Sequence, residues 1–181
     1  WNEINGFFSG TMPQMIQLTI AARQALSSVD PSMVLLSPNV SGSLDTVDEF
    51  LYQGGGQYVD AISWHQYTNN QLNSPELEQG IYEALHDIKN NHGVGNMPLF
   101  NTEGNAGGIA SPTDTQARAY ICRNFLIEWL NGVSNFNFYC WDNPWNIRLS
   151  LLDDQTLNAA GIAYNETVSW LKGSSVTAKT I

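Results

Sequence analysis

The sequence predicts an α/β protein of about five βα units with parallel strands. Two observations carry this. Short apolar runs with strand character alternate with longer segments of helical period, the signature of repeated βα units. One of those runs, Met33 to Leu36, is apolar without a break, as in a strand buried on both faces of a parallel sheet. No linker or low-complexity stretch interrupts the pattern, so residues 1–181 are expected to form a single domain.

The elements follow in order. A first strand is expected at Trp1 to Ile4, then a helix from Pro13 to Ser28, in which Met12, Met15, Ile16, Ile20 and Leu26 keep a three- to four-residue spacing and Pro13 suits the first turn. The Met33 to Leu36 strand leads to a helix over Leu44 to Tyr52, ended by Gly54, Gly55 and Gly56. A third strand, Val59 to His65, passes through a polar loop to a helix starting near Pro75, with Leu77, Ile81, Leu85 and Ile88 as its buried face. The fourth strand is Met97 to Thr102 and its helix Thr113 to Leu130; the fifth is Phe136 to Trp141, followed by a long loop and a helix over Ala159 to Leu171. The polar tail, residues 173–181, is expected to be poorly ordered.

Charge and composition exclude several functions. Seven Lys+Arg against 17 Asp+Glu give a net charge of −10, which repels nucleic acid and anionic membrane, so neither is expected as a partner and a neutral substrate is favoured. Nor does any apolar run approach the ~20 residues of a membrane helix. Six Trp and seven Tyr beside many Asn, Gln, Ser and Thr offer flat apolar rings and neutral hydrogen-bonding groups, a combination that suits sugars. Cys122 and Cys140 offer neither metal-ligand spacing nor a disulfide framework, and are expected as two buried free thiols. No metal or other cofactor is implied. A secreted or periplasmic location is expected, with no targeting segment visible in the chain.

In parallel α/β arrays, functional groups collect where loops leave the C-terminal ends of the strands. Asn2 and Glu3 close the first strand, His65 and Tyr67 the third, Glu103 the fourth and Trp141 the fifth. Alternation puts Ser63, His65 and Tyr67 on one face with Ile62 and Trp64 on the other, so Trp64 is read as core. By the same rule Leu99, Asn101 and Glu103 share a side, as do Asn135, Asn137, Tyr139 and Trp141. Trp145, in the loop after the fifth strand, is a further candidate to line a cleft. Glu128 and Glu166 fall within helical stretches and are read as solvated, while Asn39-Val40-Ser41 and Asn165-Glu166-Thr167 fit the N-glycosylation pattern, which is common by chance.

Four short motifs in order give a resemblance. Trp1-Asn2-Glu3-Ile4-Asn5, His65-Gln66-Tyr67, Thr102-Glu103-Gly104 and Trp141 resemble the strand-four, strand-six, strand-seven and strand-eight motifs of the clan A retaining glycoside hydrolases, a group that includes family 5 cellulases and family 39 xylosidases. The resemblance implies a partial TIM barrel, the C-terminal portion from strand four to strand eight of a (β/α)₈ enzyme. It implies Glu3 as acid/base and Glu103 as nucleophile, with Asn2 binding the sugar 2-hydroxyl, His65 at the site, Tyr67 holding the nucleophile and Trp141 as a platform beneath the sugar. Retaining hydrolysis needs such a pair of carboxyl groups, roughly 5 Å apart, one to protonate the leaving oxygen and one to attack the anomeric carbon.

A complete barrel has eight units, and strands one to three of the family, with their Arg and His, find no counterpart in this chain. Five strands cannot close that barrel, so a second copy or a complementary barrel fragment is expected to cover the exposed edges. Three functions follow: a retaining β-glycosidase; a catalytically impaired fragment that binds carbohydrate or assembles with another chain; and a metal-dependent hydrolase using Glu3, His65 and Glu103. The last ranks lowest because those residues have no diagnostic ligand spacing.

Overall fold

Most of the expected helices form where apolar residues recur at helical spacing. The computed structural model describes residues 1–68, 74–107, 112–142, 146–151 and 156–177. Its elements are α1 (Ile4–Phe7), α2 (Met12–Val29), β1 (Val40–Ser41), α3 (Leu44–Tyr52), β2 (Ile62–Tyr67), α4 (Glu78–Asn91), β3 (Leu99–Asn105), α5 (Asp114–Leu130), β4 (Val133–Phe138) and α6 (Ala159–Leu171). Short 3₁₀ turns at Gly55–Tyr58 and Pro75–Leu77 precede β2 and α4. The four strands form one parallel sheet in the order β1-β2-β3-β4. In its register Val40 lies opposite Trp64 and Ser41 opposite His65. This is the α/β class expected from the sequence.

The chain divides into two compact units, Trp1–His65 with Ile81–Thr102, and Gln66–Gly80 with Glu103–Ile181. In the first, Met15 and Ile16 of α2, Val47, Phe50 and Leu51 of α3, and Ile62, Trp64 and Leu99 of the strands are buried. Trp64 is core, as its place in the alternation predicts. Main-chain bonding continues beyond the strand ends, with the Ile62 N–H donating to the Pro98 carbonyl at 2.9 Å. In the second unit Ala106, Tyr120, Ile121, Ile147, Leu149 and Ala160 are buried together, with Phe136 and Phe138 packed against them. Phe125 meets Phe136 and Tyr164 at ring-centroid distances of 4.8 and 5.1 Å, within the range of favourable aromatic pairs.

Several expectations need correction. Trp1 to Ile4 is not a strand: α1 begins at Ile4, although the Asn39 N–H donates to the Trp1 carbonyl and the Ile4 N–H donates to the Asn39 carbonyl, at 3.0 and 2.9 Å. A regular parallel bridge spans two residues, whereas this one spans three, and Glu3 absorbs the extra length in a left-handed conformation (φ 42°, ψ 63°). The Met33 to Leu36 run is also not a strand buried on both faces. Met33 is 43% and Val34 60% exposed, and only Leu36 makes a bridge, to Ala61. The reason is side-chain competition: the Leu35 N–H donates to the Asp60 carboxylate at 2.7 Å, a bond that a neighbouring strand would otherwise take.

On α4 the inward residues are Glu78, Tyr82, Leu85 and Lys89, while Leu77 lies before the helix and is 60% exposed. Glu128 is buried rather than solvated, since the buried residues of α5 include Tyr120, Ile121, Asn124, Phe125, Ile127 and Glu128, a spread too wide for one apolar stripe to mark. Glu166 is exposed, as expected. The cysteines are free but only partly buried, and the Thr167 hydroxyl donates to Cys122 Sγ at 3.1 Å. Of the tail, residues 178–181 lie outside the described residues. Among the described residues no helix is long and apolar enough to cross a membrane.

Candidate active site

In the first unit, Asn39 just before β1, with residues of β2 and β3, brings one continuous polar network to Glu3. His65 on β2 is buried, and its Nδ1 lies 2.9 Å from Glu3 Oε1. The other ring nitrogen, Nε2, lies 2.9 Å from Asn39 Nδ2. The Asn39 carbonyl oxygen Oδ1 accepts a bond from the Ser63 hydroxyl, and Ser63 Oγ lies 2.9 Å from Thr102 Oγ1 on β3. The turn carrying Glu3 is fixed from both sides. Its backbone flanks pair with Asn39, and the Asn5 side chain bonds both main-chain groups of Ser41, donating to its carbonyl at 2.8 Å and accepting from its N–H at 3.1 Å. A non-glycine residue held in the left-handed region costs of order 1–3 kcal/mol, and such strain clusters at functional sites. Asn2, just before it, is exposed.

In the second unit, the Tyr67 hydroxyl donates to Glu103 Oε1. The Tyr67 ring packs on Gly107, which has φ +61°, and a Cβ there would stand 3.2 Å from Tyr67 Cδ1. Gly107 thus combines two demands, the left-handed backbone and the close ring, that both favour glycine. At the end of β3, the Asn105 side chain donates to the carbonyls of Tyr139 and, at 2.8 Å, Ile147, tying the segment after β4 to the strand.

Trp141 lies outside any strand, because β4 ends at Phe138. Its side chain is 46% exposed, and its carbonyl accepts from the N–H groups of Leu149 and Ser150 at 2.9 and 3.0 Å. Trp145 lies outside the described residues, as do Asn69, Asn70 and Asn73 of the loop after β2. On β4, Asn135 and Asn137 are exposed while Phe136 and Phe138 turn to the core.

The expected alternation on β3 holds only in part. Leu99 and Asn101 are buried, and Asn101 Nδ2 donates to the Tyr82 hydroxyl of α4 at 3.3 Å. Thr102 and Glu103, adjacent in sequence, both bond side chains from the Ser63-His65-Tyr67 face of β2, so Glu103 does not share the side of Leu99 and Asn101.

Three polar residues of the network, Asn39, Ser63 and Thr102, were not among the sequence-derived site residues. Asn39 could have been found from its place just after the apolar run of the second strand, where a polar side chain meets the rim. Its glycosylation pattern is set aside, because the amide nitrogen a glycan would need is committed to His65. For a metal, the arrangement around His65 is unpromising: both of its ring nitrogens are engaged by protein hydrogen bonds.

Parallel strands alternating with helices, joined in this order, define part of a (β/α)₈ barrel. The solved structures that this chain resembles are glycoside hydrolases. A glucosidase from Croceicoccus marinus superposes with a TM-score of 0.79 at 22% identity, over 93% of this chain and 39% of its own. A monomeric β-xylosidase from Caulobacter crescentus gives 0.71 at 16% identity, over 97% of this chain and 41% of its own. A subgroup I family 128 endo-β-1,3-glucanase from Amycolatopsis mediterranei, solved with laminaritriose, gives 0.66 at 19% identity, over 92% and 70%. The chain therefore spans about two fifths of the glucosidase and the xylosidase. No family model and no curated protein matches the sequence.

Proposed function

We propose that this chain is the part of a retaining β-glycosidase that carries both catalytic carboxyl groups, with Glu3 as acid/base and Glu103 as nucleophile, acting on β-linked oligo- or polysaccharides. One observation carries the reading: each glutamate is hydrogen-bonded by its own residue of β2, Glu3 by His65 and Glu103 by Tyr67, and those two residues alternate along a single strand. The glycosidase fold of the similar structures supports it.

In this reading Tyr67 holds the Glu103 carboxylate by a hydrogen bond to Oε1 while Glu103 attacks the anomeric carbon, and Glu3 protonates the departing glycosidic oxygen. Glu3, now a carboxylate, then takes a proton from water as that water attacks the glycosyl-enzyme, which frees Glu103. Asn2 binds the sugar 2-hydroxyl, and Trp141, with Trp145, supplies aromatic surface to the sugar face. Glu103→Ala and Glu3→Ala are each expected to abolish hydrolysis of an activated aryl glycoside, with azide restoring turnover in the first. Full activity in both variants would overturn the assignment.

A second reading, a fragment that binds carbohydrate or assembles with another chain without turnover, draws on the exposed indole of Trp141. Calorimetry showing oligosaccharide binding with no hydrolysis would favour it. Partner copies or a complementary fragment would then pair with the outer strands β1 and β4.

A further inference from the structure

We infer that Asn39 is a positioning residue that fixes which ring nitrogen of His65 carries the proton, and through it which oxygen of Glu3 carries the proton used in catalysis. The second half of this inference rests on the glycosidase reading above; the first does not.

The argument follows the donors along the network. The Ser63 hydroxyl donates to Asn39 Oδ1, so the Asn39 amide nitrogen is the atom turned to the ring, 2.9 Å from His65 Nε2. An amide NH₂ has no lone pair to offer and can only donate. His65 Nε2 must therefore accept, which leaves the ring proton on Nδ1, 2.9 Å from Glu3 Oε1. Thr102 completes the order by donating to Ser63 Oγ, whose own proton is already committed. Turning the Asn39 amide over would reverse the series. With Glu3 ionised, that would set the bare Nδ1 lone pair against a carboxylate oxygen at hydrogen-bond distance, an uncompensated contact beside a buried ring.

The consequence reaches the reacting group. With Oε1 accepting from the imidazole, the proton of a neutral Glu3 sits on Oε2, the oxygen left to face the leaving group. Asn39→Asp replaces the amide donor with an acceptor, so His65 is expected to become protonated at both nitrogens.

The test is nitrogen-detected NMR of the His65 ring in the full chain near neutral pH. The expected result is a neutral ring protonated at Nδ1 in the parent and a doubly protonated ring in Asn39→Asp, with Ser63→Ala, which frees the amide to rotate, giving a mixture of tautomers. A parent ring protonated at Nε2, or at both nitrogens, would overturn the inference whether or not the chain hydrolyses any glycoside, and needs no variant to fold. If the chain is active, Asn39→Asp should lose about tenfold or more in kcat on a glycoside whose leaving group needs protonation and little on a highly activated one. Equal losses on both substrates would reduce Asn39 to a structural role.

Discussion

Glu78 shows how far one buried carboxyl group can depart from surface behaviour. It is buried on α4 with Asn124 and Glu128 of α5 nearby, and Asn124 Nδ2 donates to its Oε2 at 2.9 Å. Among the described residues, Glu78 Oε1 and Asn124 Oδ1 are buried without a hydrogen-bond partner. Burial, and then the charge of Glu128, push the Glu78 carboxyl up to about 9. As a neutral acid it becomes a donor at Oε1. The sign follows: a carboxyl group raised in the folded state favours folding fully below its ordinary value of 4.5, and this contribution is lost as pH rises toward 9. Glu78→Gln keeps the shape of the neutral acid and is expected to raise Tm by about 5 °C or more at pH 8, with the gap closing by pH 4. Equal Tm values at pH 8, by calorimetry, would contradict this. Tyr67→Phe tests a different residue: removing the hydroxyl on Glu103 is expected to lower kcat by about tenfold or more while leaving Tm within about 3 °C of the parent.

At the scale of elements, α5 and α6 show what local sequence can specify. Thr113 caps α5, accepting from the Gln116 N–H at 3.3 Å, while the Gln116 side chain accepts from the Thr113 N–H at 3.0 Å. Thr113→Ala should cost about 1 kcal/mol of stability, read by denaturant unfolding. Gly161, early in α6, lies against the main chain of Leu149, and a Cβ there would fall inside the contact distance of the Leu149 carbonyl oxygen. Gly161→Ala is therefore expected to destabilise by about 1–3 kcal/mol, despite alanine's better helix propensity. Helix bounds were legible: α3 and α6 fall where their apolar spacing places them. Strand bounds were not. β2 and β3 run two to three residues later than their apolar runs suggest and β4 starts three earlier, because a strand ends where its partners stop bonding, and the partners are distant in sequence.

For the whole chain, net charge gives the simplest prediction. Under the glycosidase reading, a chain of charge −10 would gain nothing from electrostatic steering of a neutral sugar, so KM on an uncharged aryl glycoside is expected to change less than about twofold between low and high salt. A strong salt dependence would point to a charged substrate. The sequence by itself determined the α/β class, most of the helical segments and the burial of Trp64, because apolar period is written locally. Tertiary structure decided the rest. The left-handed turn at Glu3, the slip in alternation at Thr102–Glu103, the recruitment of Asn39 and the burial of Glu78 and Glu128 each depend on a bond or a neighbour tens of residues away, and no local window of sequence contains both partners.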